Sequence, residues 1–195
     1  MQLLSKPAGK QRFKALALTV FILGLVFLMK GTYIQLKAAL AQHLMANTWQ
    51  ESQHTGILRA PWPWADTEVV GKLQYLNQEQ FVLAGESGRN LAFGPTLMSA
   101  SSSLDEHGNT VIVGHRDTHF RELQHLALGD TILVHSILGK TLYEVTEHAV
   151  IKHTDVAVLA PTDVSVLTLI TCYPFSSITA DPNLRYVVRA IAKSR

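Results

Sequence analysis

VLTLITCYPF, residues 166–175, is the stretch that decides the fold of this chain. Apolar and β-branched residues follow one another as far as Ile170, which is typical of a buried β-strand. The Tyr-Pro pair at 173–174 ends the pattern, because proline cannot donate a hydrogen bond to a neighbouring strand. The pattern therefore predicts a strand that carries Cys172, the only cysteine of the chain, at its rim. A lone thiol in a strand is by itself most often a small apolar core residue.

Two other predicted strands end at side chains that complement a thiol. The apolar residues 111–113 are followed by Gly114 and His115, so a strand is predicted to end just before an imidazole. The segment NLRYVVRA at 183–190 places Arg185 at the start of a further strand. Acyl transfer from a peptide through a thioester needs a nucleophile, an acid for the leaving amine and donors for the oxyanion. The thiol, the imidazole and the guanidinium can supply these three functions.

Each of these side chains suits one of the roles. Cys172 has no rival as the nucleophile, because the sequence contains no second thiol. Histidine titrates near neutral pH, so His115 can protonate the leaving amine and then accept a proton from the incoming nucleophile. Arginine keeps its charge, so Arg185 can hold an oxyanion or position the substrate backbone. Arg189 lies on the same strand face and is the rival for this role, but it is deeper in the strand.

The motifs that carry these residues resemble those of the sortases, a family of membrane-anchored cysteine transpeptidases. TLITC at 168–172 is similar to the T-L-x-T-C cysteine motif of the family. GHRDTHF at 114–120 resembles its histidine segment, and LRYVV at 184–188 resembles its arginine strand. PWPWAD at 61–66, GHRDTHF and TCYPF at 171–175 together resemble the proteobacterial sub-group in particular, and the resemblance extends from about Leu58 to the C-terminus.

The resemblance implies a function and a set of partners. Sortases cleave a C-terminal sorting signal, similar to LPxTG, in a secreted protein and hold the acyl fragment as a thioester. They then transfer it to an amine acceptor in the cell envelope, or to water in simple hydrolysis of the peptide bond. By this resemblance Cys172, His115 and Arg185 are the catalytic residues, and no cofactor is implied. The alternative from another class is a membrane-tethered β-barrel binding module with an inert buried thiol.

The segment before the cysteine strand is predicted to contact the substrate. In sortases the corresponding segment, here about 152–165, forms one wall of the substrate site. It offers apolar side chains and few carboxylates, which favours an uncharged Leu-Pro type of signal and argues against activation by calcium. The predicted substrate contacts are Val156, Val158, Leu159, Pro161 and Thr171.

Asp117 and His119 are predicted to support the catalytic residues. Asp117 or Thr118 is expected to cap a short helix over 119–126, and Asp117 can also orient His115. His119 lies four residues after His115, a spacing that suits zinc on a helix, but no glutamate follows His115 and a strand ends there, so no metal site is predicted. The other histidines are predicted to be solvated: His43, His54, His107, His125, His135, His148 and His153.

The N-terminal region predicts a membrane helix. The uncharged run Ala15–Met29 spans only about 22 Å, short of the ~30 Å hydrocarbon core, so the predicted span extends to Leu36 with the Lys30 side chain reaching the interface. A cleaved signal peptide is the alternative, but the small-residue site at 39–41 lies too far beyond the apolar run. The predicted regions are a cytoplasmic tail at 1–14, a signal anchor at 15–36, a helical stalk at 37–57 and a catalytic domain at 58–195.

The charges indicate how the chain is oriented and exclude nucleic acid as a partner. Of the 17 basic residues six precede position 42, whereas all 15 acidic residues follow it. The basic residues before the apolar run predict a cytoplasmic N-terminus, so we expect a single-pass protein of the inner membrane with its catalytic domain in the periplasm. That domain carries more acidic than basic residues and no basic face for nucleic acid. A single cysteine cannot form an internal disulfide there.

The remaining sequence predicts a β-barrel. From Glu68 onward, seven short runs rich in Val, Ile, Leu and Thr are separated by Gly, Asn, Asp and Ser, and Gly139-Lys140 predicts a hairpin turn. The prolines of PWPWAD predict an extended strip whose two tryptophans cover a hydrophobic face or, alternatively, form a peptide-binding wall. Such strands with one or two short helices predict a closed or nearly closed barrel, in agreement with the eight strands that the resemblance to sortases implies.

Overall fold

The computed structural model describes residues 8–179 and 181–193 of the 195-residue chain. Positions 1–7 of the predicted cytoplasmic tail lie outside these residues. The chain divides into two compact units, residues 1–41 and residues 42–195, and helix α1, Ala8–Thr55, contributes to both. Among the described residues, one helical stretch, 12–55, is long and apolar enough to cross a membrane.

In the first unit, residues 15–29 of α1 carry no charge and are apolar on every face. Its large side chains, such as Phe13, Phe21 and Phe27, are exposed, and the helix continues through Lys30 and Gly31 without a break. A helix that is apolar all round suits apolar surroundings rather than a surface in water.

The second unit contains eight strands and three short helical segments. The strands are β1 (Val69–Tyr75), β2 (Gln78–Ala84), β3 (Thr96–Leu97), β4 (Asn109–Val113), β5 (Thr131–His135), β6 (Lys140–Lys152), β7 (Val166–Tyr173) and β8 (Asp181–Ala192). The helical segments are α2 (Gly88–Leu91) and two 3₁₀ helices, Arg121–His125 and Ala157–Leu159. The strands close a barrel in the order β1-β2-β3-β4-β7-β8-β6-β5. The predicted fold class, a closed and mainly β barrel after an apolar N-terminal helix, is confirmed.

The seven predicted runs correspond to all of these strands except β3. That strand was not predicted because Thr96 and Leu97 alone are too few residues to show an alternating pattern. The turn predicted at Gly139-Lys140 joins β5 to β6, where the amide of Ser136 donates to the carbonyl of Gly139 at 2.8 Å.

Strand β7 is buried on both of its faces. Leu167 and Leu169 pack in the barrel interior. On the other face, Ile170 packs with Val111 of β4 and Val187 of β8, and we call these three residues the outer-face cluster. Burial on both faces explains why the apolar run is continuous rather than alternating.

The C-terminal part of α1 belongs to the barrel unit. Met45 and Trp49, about one helical turn apart, are buried with Val69 of β1 and Leu83 of β2. Burial of such apolar side chains contributes on the order of 2 kcal/mol for each. The helical segment predicted at 37–57 therefore packs, in its second half, on the outside of the barrel.

PWPWAD at 61–66 does not form the predicted extended strip with two covering tryptophans. The segment turns, and the amide of Ala65 donates to the carbonyl of Trp62 at 2.9 Å. Trp62 packs edge-on against Phe93 with ring centroids 5.0 Å apart, whereas Trp64 is 80% exposed. The φ angle that proline imposes suits a turn as well as an extended chain, and the turn satisfies backbone groups locally.

The helix predicted over 119–126 is shorter and tighter than expected, because it is a 3₁₀ helix. Its N-cap residue is Phe120, and no side chain makes a capping hydrogen bond there. The prediction that Asp117 or Thr118 caps this helix is wrong. The Asp117 carboxylate binds the guanidinium of Arg116 instead.

Two histidines that were predicted to be solvated are not. The ring of His135 is buried and its Nε2 lies 2.9 Å from Oε1 of Gln74. His148 is half-buried, and its Nδ1 lies 2.8 Å from the hydroxyl of Tyr186. His135 lies in β5 and His148 in β6. A single polar residue among the apolar residues of a strand gives no sequence signal that its own side chain is buried.

Candidate active site

The parallel pairing of β4 with β7 brings the predicted acid to the predicted nucleophile. Because the two strands are parallel, both end at the same edge of the barrel. Gly114 follows β4, and the amide of Gly114 donates to the carbonyl of Ile170 at 3.1 Å. The hydroxyl of Thr171 donates to the carbonyl of Gly114 at 2.7 Å. These two bonds tie the residue before His115 to the two residues before Cys172.

The antiparallel pairing of β7 with β8 brings Arg185 to the same place. Cys172 and Arg185 are direct partners in the ladder, so their Cα atoms are about 5 Å apart and their side chains leave the sheet on one face. That face is the outer one, because Ile170 and Val187, two residues away on each strand, belong to the outer-face cluster. The thiol is free and half-buried, and His115 is exposed.

Arg185 is held by its own strand. Its Nη1 donates to the carbonyls of Pro182 at 3.0 Å and Leu184 at 2.8 Å. Both bonds use the same nitrogen, so together they fix the orientation of the guanidinium relative to β8. The rival Arg189 pairs with Thr168 in the ladder, four residues deeper in the strand, and its Nη1 lies 3.8 Å from the carboxylate of Glu147.

Gly114 allows the chain to reach His115 past a buried ring. A Cβ at position 114 would lie 2.8 Å from the ring of Phe120, which is part of the barrel core. The amide of Phe120 donates to the carbonyl of His115 at 3.0 Å and closes the turn that carries the imidazole. A residue larger than glycine would displace either Phe120 or the turn.

Arg116 was not singled out in the sequence, yet it is a central polar residue of the site. Its side chain is only 4% exposed. Its Nε and Nη2 donate to the two carboxylate oxygens of Asp117 at 2.6 and 3.0 Å. Its Nη1 donates to the carbonyl of Pro174, and its Nη2 lies 3.5 Å from the carbonyl of Ile178. The adjacent Arg-Asp pair is the one sequence signal for this arrangement, and no periodicity predicts that the arginine is buried.

Asp117 and His119, the predicted supporting residues, make different contacts. The bond from Arg116 holds the pKa of the Asp117 carboxyl below its usual range, and His115 contributes a weaker effect of the same sign. Nδ1 of His119 lies 3.2 Å from Oε1 of Gln80, and burial lowers the pKa of the His119 imidazole. In the described part of the chain no group of three or more His, Cys, Asp or Glu side chains is arranged to hold a metal ion.

The segment predicted to contact the substrate lies over the outer-face cluster. Val158 and Leu159, in the second 3₁₀ helix, pack against that cluster, whereas Val156 and Pro161 are exposed. Thr171, the fifth predicted contact, is 3% exposed, with its hydroxyl directed to Gly114.

Asn109, at the start of β4, anchors this segment and was also missed in the sequence. Its Nδ2 donates to the carbonyl oxygens of Val158 at 2.9 Å and Ala160 at 3.1 Å. Its Oδ1 accepts a hydrogen bond of 2.6 Å from the hydroxyl of Thr168. Both amide hydrogens and the amide oxygen of this buried side chain are therefore used.

Comparisons with known proteins agree with this architecture. A family model described as Sortase domain matches residues 72–193. The chain is similar to Sortase D of Bacillus subtilis (strain 168), with 31% identity over 114 residues, which are 58% of this chain and 57% of that protein. The chain thus spans a little over half the length of this curated relative.

Solved structures share the fold at lower sequence identity. A Clostridium perfringens Sortase D5 transpeptidase matches with a TM-score of 0.64 and 19% identity, covering 80% of this chain and 99% of that one. Clostridium perfringens sortase C, in a structure with the C-terminal cell wall sorting motif, matches with a TM-score of 0.60 and 19% identity, covering 82% and 90%. Because the family model extends over more than half of the chain and across the barrel from β1 to β8, this protein belongs to the sortase family.

Proposed function

We propose that this protein is a membrane-anchored cysteine transpeptidase that cleaves a C-terminal sorting signal and transfers the acyl fragment to an amine. The observation that carries the proposal is the ladder pairing of Cys172 with Arg185 beside the strand end that presents His115. A thiol, a permanent cation and an imidazole then share one edge of a barrel of this family. Cys172, His115 and Arg185 are the proposed catalytic residues.

The first half of the reaction forms a thioester. The Cys172 thiolate attacks the carbonyl carbon of the scissile peptide bond, a C–S bond forms, and the carbonyl electron pair moves to oxygen. Arg185 donates to that oxyanion. When the intermediate collapses, the C–N bond breaks and His115 gives its proton to the departing amine.

The second half reverses these roles with a different amine. An acceptor amine attacks the thioester carbonyl and loses a proton to His115. The C–S bond breaks, the thiolate of Cys172 leaves, and an amide joins the acyl fragment to the acceptor. With water in place of the amine, the same steps release a carboxylic acid, which is the hydrolytic variant.

The substrate is proposed to be an uncharged signal of the Leu-Pro type, similar to LPxTG. The exposed Val156 and Pro161, beside Val158 and Leu159 packed on the outer-face cluster, support an apolar contact surface next to the thiol. Thr171, the fifth predicted contact, is buried with its hydroxyl on Gly114, so we propose that it supports this surface from beneath and does not touch the signal. The matched structure of Clostridium perfringens sortase C with a C-terminal cell wall sorting motif supports the same class of substrate.

The location proposed for the enzyme follows from its N-terminal helix. A stretch long and apolar enough to span a bilayer supports a signal anchor at 15–36 after the tail at 1–14. The helix continues to Thr55 and supports a helical region at 37–57, whose second half packs on the catalytic domain proposed at 58–195. Basic residues before the apolar run support a cytoplasmic N-terminus and a periplasmic catalytic domain. The TCYPF and GHRDTHF motifs support membership of the proteobacterial sub-group.

Trapping of the acyl-enzyme tests the proposal. The detergent-solubilised full chain is incubated with an LPxTG-type peptide, and intact-protein mass is measured with and without an added amine. We expect the mass of the acyl fragment on Cys172, its release as an amide when the amine is present, and no adduct for Cys172→Ala. His115→Ala should lose orders of magnitude in turnover, whereas His119→Ala, whose imidazole is bound to Gln80, should lose much less.

Three outcomes would contradict all or part of the proposal. Cleavage at the normal rate by Cys172→Ala would remove the nucleophile assigned here. A thiol that does not react with iodoacetamide in the folded protein would instead favour the binding module with an inert cysteine. Product that stays a carboxylic acid at every amine concentration would restrict the activity to hydrolysis.

A further inference from the structure

Arg116 is a buried cation whose hydrogen bonds are directed at one loop. A charged side chain with 4% exposure must be paired, because an unpaired charge out of contact with water is strongly disfavoured. Its partners are the Asp117 carboxylate and the carbonyl oxygens of Pro174 and Ile178. Both carbonyls belong to the connection from β7 to β8, residues 174–179 in the described part of the chain, which we call the β7–β8 loop.

The position of Arg116 connects it with all three proposed catalytic residues. In the sequence it directly follows His115. Pro174, which accepts from its Nη1, is two residues after Cys172, and the β7–β8 loop leads from Cys172 to the strand of Arg185. One rigid side chain therefore links the turn that presents the acid to the loop that joins the nucleophile to the arginine.

We propose that Arg116 is a positioning residue that sets the geometry of His115, Cys172 and Arg185 relative to one another by fixing the β7–β8 loop to the histidine turn. The inference rests on the proposed transpeptidase function, which supplies the roles of these three residues. Arg116 touches no reacting atom in this scheme, and it acts through the backbone carbonyls that it binds.

The planar fork of arginine is what this role requires. Nε and Nη2 face the two oxygens of Asp117 in a bidentate pair, which fixes the plane of the guanidinium. In that plane Nη1 is directed at Pro174, and Nη2 is shared with Ile178. Lysine presents its donors from a single point on a flexible chain, so it cannot span the carboxylate and both carbonyls.

The electrostatic setting agrees with this geometry. The bond to Asp117 raises the pKa of Arg116, and the charge of Cys172 adds a smaller effect of the same sign. Arg116 therefore stays charged while it holds the loop that follows Cys172.

Two variants of the full chain in detergent test the inference. Arg116→Lys keeps the charge and removes the fork, whereas Asp117→Asn leaves Arg116 in place and weakens the pair from the exposed side. We expect kcat for an LPxTG-type peptide to fall about 10²-fold in Arg116→Lys, a typical result of a misplacement of about 1 Å, with KM changed less than about 3-fold. Asp117→Asn should lose less, by about 3- to 10-fold, at an unchanged Tm.

Arg89→Gln is the matched control. It removes an exposed arginine that also pairs with an aspartate, Asp66, at 3.2 Å. Both kcat and KM should remain at the wild-type value. Full kcat in Arg116→Lys, or a loss seen only as a raised KM, would overturn the positioning role.

A measurement without substrate separates this inference from the proposed function. Amide hydrogen exchange in the β7–β8 loop should accelerate at least 10-fold in Arg116→Lys, while exchange in β4 and β7 stays at the wild-type rate. Faster exchange throughout the barrel would mean that Arg116 serves global stability, and it would overturn the inference. If the wild-type protein never forms a thioester, the proposed function fails, and the exchange result still decides whether Arg116 holds the loop.

Discussion

The two loops on either side of the cysteine strand are held by different kinds of side chain, one from the first residue of β4 and the other from the turn that follows β4. The loop before β7, residues 153–165, is bound by the neutral amide of Asn109 through the carbonyls of Val158 and Ala160. The β7–β8 loop is bound by the charged guanidinium of Arg116 through the carbonyls of Pro174 and Ile178. One loop is therefore held by neutral hydrogen bonds, and the other is held by a cation that is paired with a carboxylate.

The difference concerns what each anchor needs in order to be buried. A buried amide whose donors and acceptor are all paired is satisfied without any charge, so its hold is insensitive to pH and salt. A buried guanidinium needs an anion, and Asp117, which supplies it, is 72% exposed. The hold on the proposed substrate wall is thus independent of pH and salt. The β7–β8 loop, between Cys172 and Arg185, depends on an ion pair whose carboxylate is exposed to the solvent.

The largest effect is expected at Arg185, in the strand that follows the β7–β8 loop. Arg185→Lys should lose about 10² to 10³ in kcat and in kcat/KM together, because an ammonium cannot reproduce the fork that donates to the oxyanion. Arg189→Lys, on the same strand and 3.8 Å from Glu147, should lose little. Steady-state kinetics across pH would check both variants. A larger defect in Arg189→Lys than in Arg185→Lys would reassign the arginine role.

An intermediate effect is expected at the neutral anchor. Asn109→Ala leaves the carbonyls of Val158 and Ala160 without their donor, so the wall loosens and KM for the peptide should rise about 10-fold, with kcat within about 2-fold. The free energy of unfolding should fall by about 1 to 3 kcal/mol, as for a buried polar group left unpaired. Peptide kinetics and urea unfolding measure the two effects.

Thr168→Val is the control for the neutral anchor. It removes the hydroxyl that donates to Asn109 at 2.6 Å but leaves both bonds from Asn109 to the loop. The free energy of unfolding should fall by about 1 to 2 kcal/mol, and KM should stay at the wild-type value. An equal rise of KM in both variants would mean that stability, rather than the loop anchor, controls substrate binding.

The smallest expected effect is the pH dependence of the charged anchor. The folded-state pKa of Asp117 is depressed, so the stabilisation is fully present above the ordinary pKa of about 4 and is lost as the pH falls through the depressed value. Arg116, Arg121 and His115 are the charged or titratable groups that act on this carboxylate. The ratio of β7–β8 loop exchange rates between Asp117→Asn and the wild type should be a few-fold at pH 7.

That ratio should approach one as the acid protonates Asp117 in the wild type, because protonated aspartate and asparagine are then equivalent partners. Taking the ratio at each pH cancels the intrinsic pH dependence of amide exchange. A ratio that stays constant from pH 7 down to the pH at which an NMR titration shows the Asp117 carboxyl of the folded wild type to be protonated would show that the charge of Asp117 contributes nothing to the hold on the loop.

The residues at strand ends were predictable from the sequence for a physical reason. Cys172 and His115 follow apolar runs whose ends are visible as Tyr-Pro and as Gly114, so the point at which each side chain leaves the sheet could be located. The closed barrel was predictable because seven of its strands are long enough to show their pattern. These features depend only on residues that are close together in the sequence, so a short window of sequence is enough to predict them.

The two loop anchors were not predictable in the same way. Asn109 and Arg116 are polar residues whose burial depends on carbonyl groups 49 to 62 positions away in the sequence. The assignment of Asp117 as a helix cap was wrong because the competing partner is its neighbour Arg116, whose orientation depends on a distant loop. A polar residue in a β-rich sequence carries no mark that distinguishes a solvated side chain from a fully bonded buried one.

The parallel pairing of β4 with β7 has a consequence for how the enzyme folds. The bond from Thr171 to Gly114 joins residues 57 positions apart, so it forms only after a long stretch of chain has been closed into a loop at a large cost in conformational entropy. Contacts of such separation are made late and slowly compared with hairpins such as β5–β6. A partly folded chain therefore keeps Cys172 apart from His115 until β4 pairs with β7 and the barrel closes.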